Sequence, residues 1–540
     1  MKNTEWTQSR LFTRILEIIP GGIAWSILIL PFALGPFVPT PVAYFILSFN
    51  LYWLFKSLNI MRHMIRGFSR MWRSMKIDWL ERCKMVSSDP IALKENLWRE
   101  YENTKTSFSK RNWQEIENIG DNVSVIKDWS EVYQAVFITN CFESFEITEP
   151  TYEAVRDSNF PNDRIIIVSC GEGRDEKEYL KVAEQIKEKF GKDFMDIQFY
   201  VHKDLPGDVI GKGPNLYSAG HKFVEYLAKE HPELQAENIL VTTLDADHIV
   251  HKEYFASLTY KYIIDANRER KTYQPVALLF NNIWDAPAPS RILAIASSFW
   301  QVVESVRPYR LRTFAAHTQS LKTLLITDFW SSKTIVEDGH QYWRTYFAYN
   351  GDHEMVGISI PIYQDCVVAE TFWGTLKNQY KQRRRWSWGI SDFPFIIKEF
   401  IKHSEISLGE KFLQTFRHFS GSISWSTASF LLAFSWVPLG FNDSFQNTVL
   451  AHNVSIFTSN IFRLAWVGIF ASVWIYFLLL PPLPAHKKKS DYVGMLLQWL
   501  IAPFVAIMFS IPVLESQTRL MLGQSLNVFW VTPKVRAHHK

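Results

Sequence analysis

The stretch NILVTTLDADH, residues 238–248, decides the fold prediction. Asn238 to Leu244 is rich in apolar and β-branched residues and has the length of a buried strand, and Asp245-Ala246-Asp247 follows it directly. Two carboxylates at the end of a strand can present oxygens to one hard cation, such as Mg²⁺ or Mn²⁺. An Asp turn that bonds its own backbone is the alternative interpretation of D-x-D. His248 is interpreted as a surface or supporting group, with a role as metal ligand as the alternative.

Strand and helix patterns alternate upstream of this stretch. Short strands are predicted at 133–139, 164–169 and 196–202, and the helices predicted between and after them cover 144–156, 176–190 and 215–229. Such alternation favours an α/β domain with a mainly parallel sheet. Functional groups of such sheets lie at the carboxyl ends of the strands. This placement favours a ligand role for the two acids.

Composition excludes several classes of protein. The chain has 540 residues, 47% apolar and 21% charged, which is too long and too apolar for a small disulfide-rich or a disordered protein. Lys plus Arg is 58 and Asp plus Glu is 54, and the resulting net charge of +4 is too small to indicate a nucleic-acid partner. The 4 cysteines are far apart without a C-x-x-C pair, which argues against zinc and disulfides and favours a reducing compartment.

Apolar runs lie at both ends of the chain. The runs 15–37 and 41–60 each have about the length, roughly 20 residues, that a helix needs to cross a bilayer. A cleaved signal peptide is the alternative interpretation of the first run. Lys and Arg flank this pair but do not occur at 35–40 between the runs, so both flanks are expected in the cytoplasm.

Further runs follow at 422–439 and 461–480, ahead of Lys487-Lys488-Lys489. A fifth, at 493–514, contains Pro503 and Pro512 and either spans the bilayer or forms a re-entrant or paired short-helix arrangement. The sequence therefore predicts a multi-pass integral protein of a plasma or inner membrane, in contact with membrane lipids, with a cytosolic middle region.

Two segments of this middle region suggest further chemistry. Gly211-Lys212-Gly213-Pro214-Asn215 opens a predicted helix, where backbone N–H groups and an ammonium favour phosphate, although an ordinary glycine turn is equally compatible. Glu337-Asp338 opens another helix. There an acid serves either as a general base toward a hydroxyl or as a stabilising first-turn residue.

The segment NQYKQRRRWSWG, residues 378–389, precedes the second group of apolar runs. Gln382 and Trp386 are four residues apart and share one helix face, with Arg385 beside them. A guanidinium fork pairs with phosphate and an indole stacks on a sugar ring. Juxtamembrane positive charge is the alternative interpretation.

In this order, these features resemble the membrane-embedded family 2 glycosyltransferases, the cellulose, chitin and hyaluronan synthase-like group with a D, D, D, Q-x-x-R-W pattern. The resemblance covers about residues 132–386. It implies an α/β fold in which a GT-A, Rossmann-like glycosyltransferase domain is inserted between N- and C-terminal transmembrane helices. The expected organisation is a transmembrane hairpin at 1–60, an amphipathic, basic connection at 61–131, the cytosolic domain at 132–400, an interface helix and transmembrane helices at 401–522, and a tail at 523–540.

The resemblance also implies roles for single residues. Asp245 and Asp247 would hold Mg²⁺ or Mn²⁺, and Asp338, next to Glu337, would be the catalytic base. The donor would be bound by Asn140, Glu143, Lys212, Asp245, Gln382 and Arg385. Trp386 would lie under the acceptor sugar, and the tail residues Phe529, Val531, Thr532 and Lys534 would form a gating loop over the donor.

One departure concerns the nucleobase. Relatives carry an aspartate pair after the second strand, where this chain has Ser169-Cys170-Gly171-Glu172. Either Glu172 replaces the base-contacting acid or that contact is weaker, which puts uracil specificity in doubt.

The resemblance implies an inverting, metal-dependent membrane glycosyltransferase of the hexosyltransferase class. It would transfer a sugar from a nucleotide-sugar donor, expected to be a UDP-sugar, to a growing glycan, as polysaccharide synthases do. A non-processive enzyme that acts on a lipid-linked acceptor is the first alternative. A non-catalytic membrane scaffold or transporter is the second.

Overall fold

The computed structural model describes residues 9–119, 123–203 and 205–532. Within them, contacts divide the chain into two compact units. The first, the helical unit, comprises residues 9–65, 282–299 and 366–532, and the second, the sheet unit, comprises residues 66–119, 123–203, 205–281 and 300–365.

The helices and strands are as follows. The α-helices are α1 Arg10–Leu34, α2 Pro39–Ser74, α3 Trp79–Ser88, α4 Pro90–Thr104, α5 Ser107–Glu117, α6 Phe145–Arg156, α7 Glu176–Phe190, α8 Lys212–Glu230, α9 Tyr254–Ile263, α10 Ala288–Glu304, α11 Leu321–Ile326, α12 Glu337–Ala348, α13 Phe372–Ser387, α14 Phe393–Lys402, α15 Leu408–Phe434, α16 Asp443–Gln446, α17 Val449–Leu479, α18 Asp491–Leu497, α19 Ala502–Met508 and α20 Ile511–Met521. The strands are β1 Tyr133–Asn140, β2 Ile165–Glu172, β3 Asp196–His202, β4 Ile239–Asp245, β5 Ile249–Val250, β6 Lys271–Leu278, β7 Thr318–Ser320 and β8 Glu354–Tyr363.

The sheet unit is built on one eight-stranded sheet, in the order β3-β2-β1-β4-β7-β6-β8-β5. Neighbours among β3, β2, β1 and β4 are parallel, whereas β7 is antiparallel to both β4 and β6, and β5 to β8. The α/β prediction and the alternation of strands and helices from β1 to β4 are confirmed. None of the strands beyond β4 was predicted; β5 and β7 have only 2 and 3 residues, but β6 and β8 have 8 and 10.

Alternate residues of the central strands pack into two separate hydrophobic cores, one on each face of the sheet. Val136 and Ile138 of β1 pack on one face of the sheet with α3, α6 and α9, and Ala135 and Phe137 pack on the other face with α8 and α11. A parallel sheet covered on both faces needs apolar residues at successive positions. This explains the unbroken runs that identified the strands.

The helical unit is organised around α1, which lies along α20. Arg14 donates hydrogen bonds to the carbonyls of Leu520 (3.2 Å) and Met521 (2.9 Å), and the Trp25 indole donates to Thr518 Oγ1 (2.9 Å). A Cβ on Gly21 would lie 2.8 Å from the Gln517 carbonyl oxygen. Glycine at this position therefore permits the close approach of the two helices.

Among the described residues, α1 is the one unbent helix that is long and apolar enough to cross a membrane. Asp491–Leu500 and Ala502–Met521 pass the same test together but are bent by 59° at their junction, which agrees with the paired short helices predicted around the two prolines. The run 41–60 lies within the long helix α2, and residues 422–434 of the run 422–439 lie within α15, which ends at Phe434. Their Asn, Lys and Ser residues lower the mean hydropathy, so the multi-pass arrangement stays a prediction.

Candidate active site

The paired acids lie where the central strands of the sheet unit end. Asp245 is the last residue of β4 and is in register with Thr139 of β1. Its side chain is one-third exposed, whereas Asp247 is buried. The backbone N–H of Asp365 donates to Asp247 Oδ2 (2.9 Å), and Asn281 donates to the Asp247 carbonyl (3.1 Å). Asp247 is thus held in place, and Asp245 faces the accessible side.

Lys212, the first residue of α8, pairs with Asp245. Its Nζ lies 2.5 Å from Asp245 Oδ1 and donates to the Ala315 carbonyl at 3.3 Å. Burial opposes the charged form of this lysine, but attraction to Asp245, Glu337 and Asp338 outweighs it, so the pKa of Lys212 is raised above its ordinary value. The ammonium therefore stays charged among three carboxylates.

Gly213 explains how α8 reaches this place. A Cβ at Gly213 would lie 2.5 Å from the Ser331 carbonyl oxygen and 3.1 Å from Cβ of Glu337. The start of α8 therefore touches the loop that leads into α12, and a larger residue would force them apart. Asn215 fixes the same helix to β2 by donating to the Cys170 carbonyl (3.0 Å).

Asp338 and Glu337 open α12 beside this pair. Asp338 Oδ1 accepts from the N–H of Gly339 (2.7 Å), and its carbonyl accepts from Thr313 Oγ1 (2.5 Å). Asp338 is half-buried, whereas Glu337 is 3% exposed. The more accessible Asp338 is accordingly the better candidate to receive a proton from a substrate.

His248 is buried against Asp245. It is 1% exposed, its Nδ1 accepts from the Asp245 N–H (3.1 Å), and its Nε2 lies 3.3 Å from Asp245 Oδ2. An accepting Nδ1 leaves the proton of a neutral ring on Nε2, directed at Asp245. This arrangement favours the supporting role and rules out the surface interpretation.

The donor set fits a divalent cation. One carboxylate oxygen each of Asp245 and Asp247 and a ring nitrogen of His248 lie within 4.8 Å of one another. Carboxylate oxygens are the ligands that Mg²⁺ and Mn²⁺ prefer, so the two acids are the candidate ligands, and His248 supports Asp245 through its two ring nitrogens.

The loop after β1 holds two other predicted residues. Asn140 Nδ2 donates to Thr148 Oγ1 (3.0 Å) and to the Glu143 carbonyl (3.2 Å), and the Glu143 carboxylate accepts from the Cys141 N–H (2.7 Å). Phe142 adopts φ +71°, and its N–H donates to Asp175 (2.6 Å). Asn140 and Glu143 thus shape this loop at the carboxyl edge of the sheet.

Glu172 stands at the end of β2, at the position of the sequence departure. It is 7% exposed and pairs with Arg174 at 2.7 Å. Burial raises its pKa to about 6, against the attraction of Arg174. An acid is therefore present at this edge although the usual aspartate pair is not.

The remaining predicted residues belong to the helical unit. Gln382, Arg385 and the half-buried Trp386 lie on α13. This helix is fixed to α20 by Glu515, which accepts from Tyr380 Oη (2.6 Å) and Arg384 (2.9 Å).

Residues 529–532 of the tail pack against α13. The Arg385 guanidinium is 3.8 Å from the ring centre of Phe529, Lys381 Nζ is 3.3 Å from that of Trp530, and Gln382 donates to Thr532 Oγ1 at 3.5 Å. Val531 lies between Trp530 and Thr532, and Lys534 is outside the described residues. The structure thus brings the predicted residues together in two sets, one in each unit.

The sequence matches no family model, and a search of curated proteins finds no match. The fold is similar to solved glycosyltransferase structures. A Pyrobaculum calidifontis mannosyltransferase in complex with GDP-Man and Mn²⁺ is 10% identical with a TM-score of 0.39, covering 82% of this chain and 100% of that one. S. aureus TarS 1–349 with UDP-GlcNAc is 10% identical (TM-score 0.31; 73% and 93% covered), and GalNAc-T7 with UDP, GalNAc and Mn²⁺ is 12% identical (TM-score 0.31; 54% and 57% covered).

Proposed function

We propose that this chain is an inverting, divalent-cation-dependent glycosyltransferase that takes a sugar from a nucleotide-sugar donor. The observation that carries the proposal is the convergence of Lys212, Asp245, Asp247 and Asp338 at the carboxyl edge of one sheet. These residues combine a candidate cation site, a fixed ammonium and a half-buried carboxylate, which are the groups that displacement of a diphosphate requires.

In the proposed reaction an acceptor hydroxyl attacks the anomeric carbon, the bond from that carbon to the diphosphate breaks, and Asp338 takes the hydroxyl proton. The charge on the departing diphosphate is met by Lys212. When a divalent cation is bound by Asp245 and Asp247, it supplies further positive charge to the same group. Attack opposite the leaving group inverts the configuration of the sugar.

Residues of the helical unit have proposed roles of their own. Arg385, with Gln382, binds the donor diphosphate, Trp386 stacks on the acceptor sugar, and the tail from Phe529 to Thr532 closes over bound donor. The contacts between Arg385 and Phe529 support a functional link between tail and helix.

The setting is proposed to be a plasma or inner membrane, with several spans and a cytosolic catalytic domain. The apolar α1 and the positive flanks of residues 15–60 support this orientation. The acceptor in the first proposal is a growing glycan. A lipid-linked acceptor is the second candidate, favoured by three arginines within residues 305–312, directly ahead of Thr313, which donates to the Asp338 carbonyl.

The test is an assay of the purified full-length chain with a panel of labelled nucleotide-sugars, Mn²⁺ or Mg²⁺, and membrane lipids. Sugar transfer that disappears in chelator and returns with the cation is expected. Sizing the product separates the acceptors, since a synthase yields a polymer and the alternative adds one sugar. Absence of both donor hydrolysis and transfer with every donor would favour a non-catalytic scaffold.

A further inference from the structure

The segment SVRPYRLR, residues 305–312, carries three arginines and leads directly into Thr313. Thr313 Oγ1 donates to the Asp338 carbonyl at 2.5 Å. The Arg312 guanidinium lies 4.1 Å from the ring centre of Tyr342, which follows Asp338 by one helical turn on α12. Residues four apart share a helix face. The end of the arginine segment, at Arg312 and Thr313, therefore lies against the helix that begins with the proposed base.

Positive charge exceeds negative charge within this segment. Glu304 Oε1 pairs with Arg307 at 3.0 Å, both side chains being largely buried, and Glu304 Oε2 lies 3.8 Å from Arg310. Two guanidiniums thus share one carboxylate. Burial lowers the pKa of Arg310, and Arg307 and Arg312 lower it further against the attraction of Glu304. Partly desolvated excess charge costs free energy that a bound anion would offset.

Arg310 is also accessible. Its side chain is 32% exposed, and Tyr309 next to it is 50% exposed. Arg307 Nε donates to Tyr309 Oη at 3.3 Å, which ties the tyrosine to the buried pair. Trp300, in the same unit, is 49% exposed. Exposed Tyr next to arginine, as in Tyr309-Arg310, is typical of protein surfaces at the headgroup level of a bilayer.

We propose that Arg310, held by Glu304 and flanked by Tyr309, binds the phosphate of a lipid-linked acceptor. A guanidinium fork matches a phosphate with two parallel hydrogen bonds, which suits it to this ligand better than to a neutral sugar. The inference rests on the proposed glycosyltransferase function and favours its second acceptor class over a free glycan end.

The test measures binding before it measures turnover. Decyl phosphate is titrated calorimetrically into the full-length protein in neutral detergent, with decanol as its uncharged counterpart and a glycerol-phosphate oligomer as a water-soluble phosphate. Arg310→Gln should weaken decyl phosphate binding at least tenfold and Arg310→Lys less. Arg156→Gln, which removes an exposed arginine paired with Asp157, should leave it unchanged.

Turnover then separates this inference from the proposed function. With a phospholipid-linked acceptor, Arg310→Gln should raise the acceptor KM while donor hydrolysis without acceptor stays at the wild-type rate. Equal decyl phosphate affinity in wild type and Arg310→Gln would overturn the proposal, as would an Arg310 dependence confined to the glycerol-phosphate oligomer. If Arg310→Gln lowers the Tm, the decyl phosphate affinity of Arg310→Lys decides. An affinity between those of the wild type and Arg310→Gln supports the subsite. Wild-type affinity, or no binding at all, counts against it. If the wild type neither hydrolyses nor transfers from any nucleotide-sugar, the proposed glycosyltransferase function is refuted. The decyl phosphate affinities of the wild type and the variants can still be compared in that case.

Discussion

The ammonium nitrogen of Lys212 lies 2.5 Å from Oδ1 of Asp245, at the point where α8 begins and β4 ends. Lys212 is 6% exposed, and its ammonium neutralises the one-third-exposed carboxylate of Asp245. A charge-assisted contact of this kind is stronger than a neutral hydrogen bond. The same lysine is placed to exchange its partner for a phosphate oxygen when donor arrives.

Replacing Lys212 tests its contact with Asp245 and its proposed contact with the donor phosphate separately. Lys212→Met should lower kcat/KM for the donor by about 10- to 100-fold, since one charge-assisted hydrogen bond is worth about 1.5–3 kcal/mol. Mn²⁺ binding without donor should be as tight as in the wild type or tighter, because Asp245 loses a competing cation. Steady-state kinetics and Mn²⁺ titration measure the two effects. Lys222→Met, which removes another α8 lysine that donates to the Val201 carbonyl, is the matched control.

Substitution of Asp338 tests the base. Asp338→Asn should reduce transfer by about 10²- to 10⁴-fold, the usual contribution of general base catalysis, and leave donor affinity unchanged. Its Oδ1 contact with the Gly339 N–H is available to an asparagine, so the start of α12 should be preserved. Glu337→Gln is the comparison at the adjacent, buried carboxylate. Retained turnover in Asp338→Asn would remove the assignment.

The tail offers a test of closure over the donor. Phe529→Ala removes the ring 3.8 Å from the Arg385 guanidinium. If the tail excludes water from bound donor, the variant should hydrolyse a larger share of donor relative to the share it transfers. The measured quantity is the ratio of free sugar to product. The control is Phe372→Ala, which removes an exposed ring at the start of α13, the helix that carries Arg385. It should leave the ratio unchanged.

Much of the sheet unit was predictable because its strands are covered on both faces. β1, β2 and β4 are buried almost throughout and have long apolar runs, which stand out in a sequence, whereas the edge strand β3 is half-buried and mixes apolar with polar residues. The acids at the end of β4 were likewise predictable, since position at a carboxyl edge is decided by the strand itself.

Other features were not predictable because they depend on contacts between segments far apart in sequence. The burial of His248 against Asp245 follows from the fold around it and has no local signature. The arginines before Thr313 have the appearance of a solvated loop until Thr313 is seen to hold Asp338. The Glu515 anchor of α13 joins residues more than 130 positions apart.

His317 should make stability depend on pH. Its Nδ1–H donates to the Phe314 carbonyl (2.7 Å), its Nε2 accepts from the Trp330 indole (3.0 Å), and burial lowers its pKa to about 4. The pKa of His317 is lower in the folded protein than in the unfolded chain. Its contribution to the free energy of unfolding is therefore fully present above pH 6.5 and is lost as the pH falls toward 4. At pH 5 the loss is about 2 kcal/mol.

Thermal unfolding at pH 7.5 and pH 5 measures this contribution. His317→Gln should lower the Tm at pH 7.5 and show a smaller further decrease at pH 5 than the wild type. His353 is buried with a pKa lowered to about 4 as well, and it affects both proteins equally. Parallel decreases in the two proteins would show that His317 does not titrate in this range.

The most direct test of the central claim is Mn²⁺ binding, followed by electron paramagnetic resonance, in the wild type and in Asp247→Asn. The asparagine oxygen can still accept from the Asp365 N–H, so the substitution removes charge and leaves the local fold in place. We expect Mn²⁺ affinity to fall at least about tenfold, since one of two carboxylate ligands is lost, and sugar transfer to fall with it, while Asp157→Asn changes neither. Equal Mn²⁺ affinity in Asp247→Asn, with transfer that persists in chelator, would contradict the account.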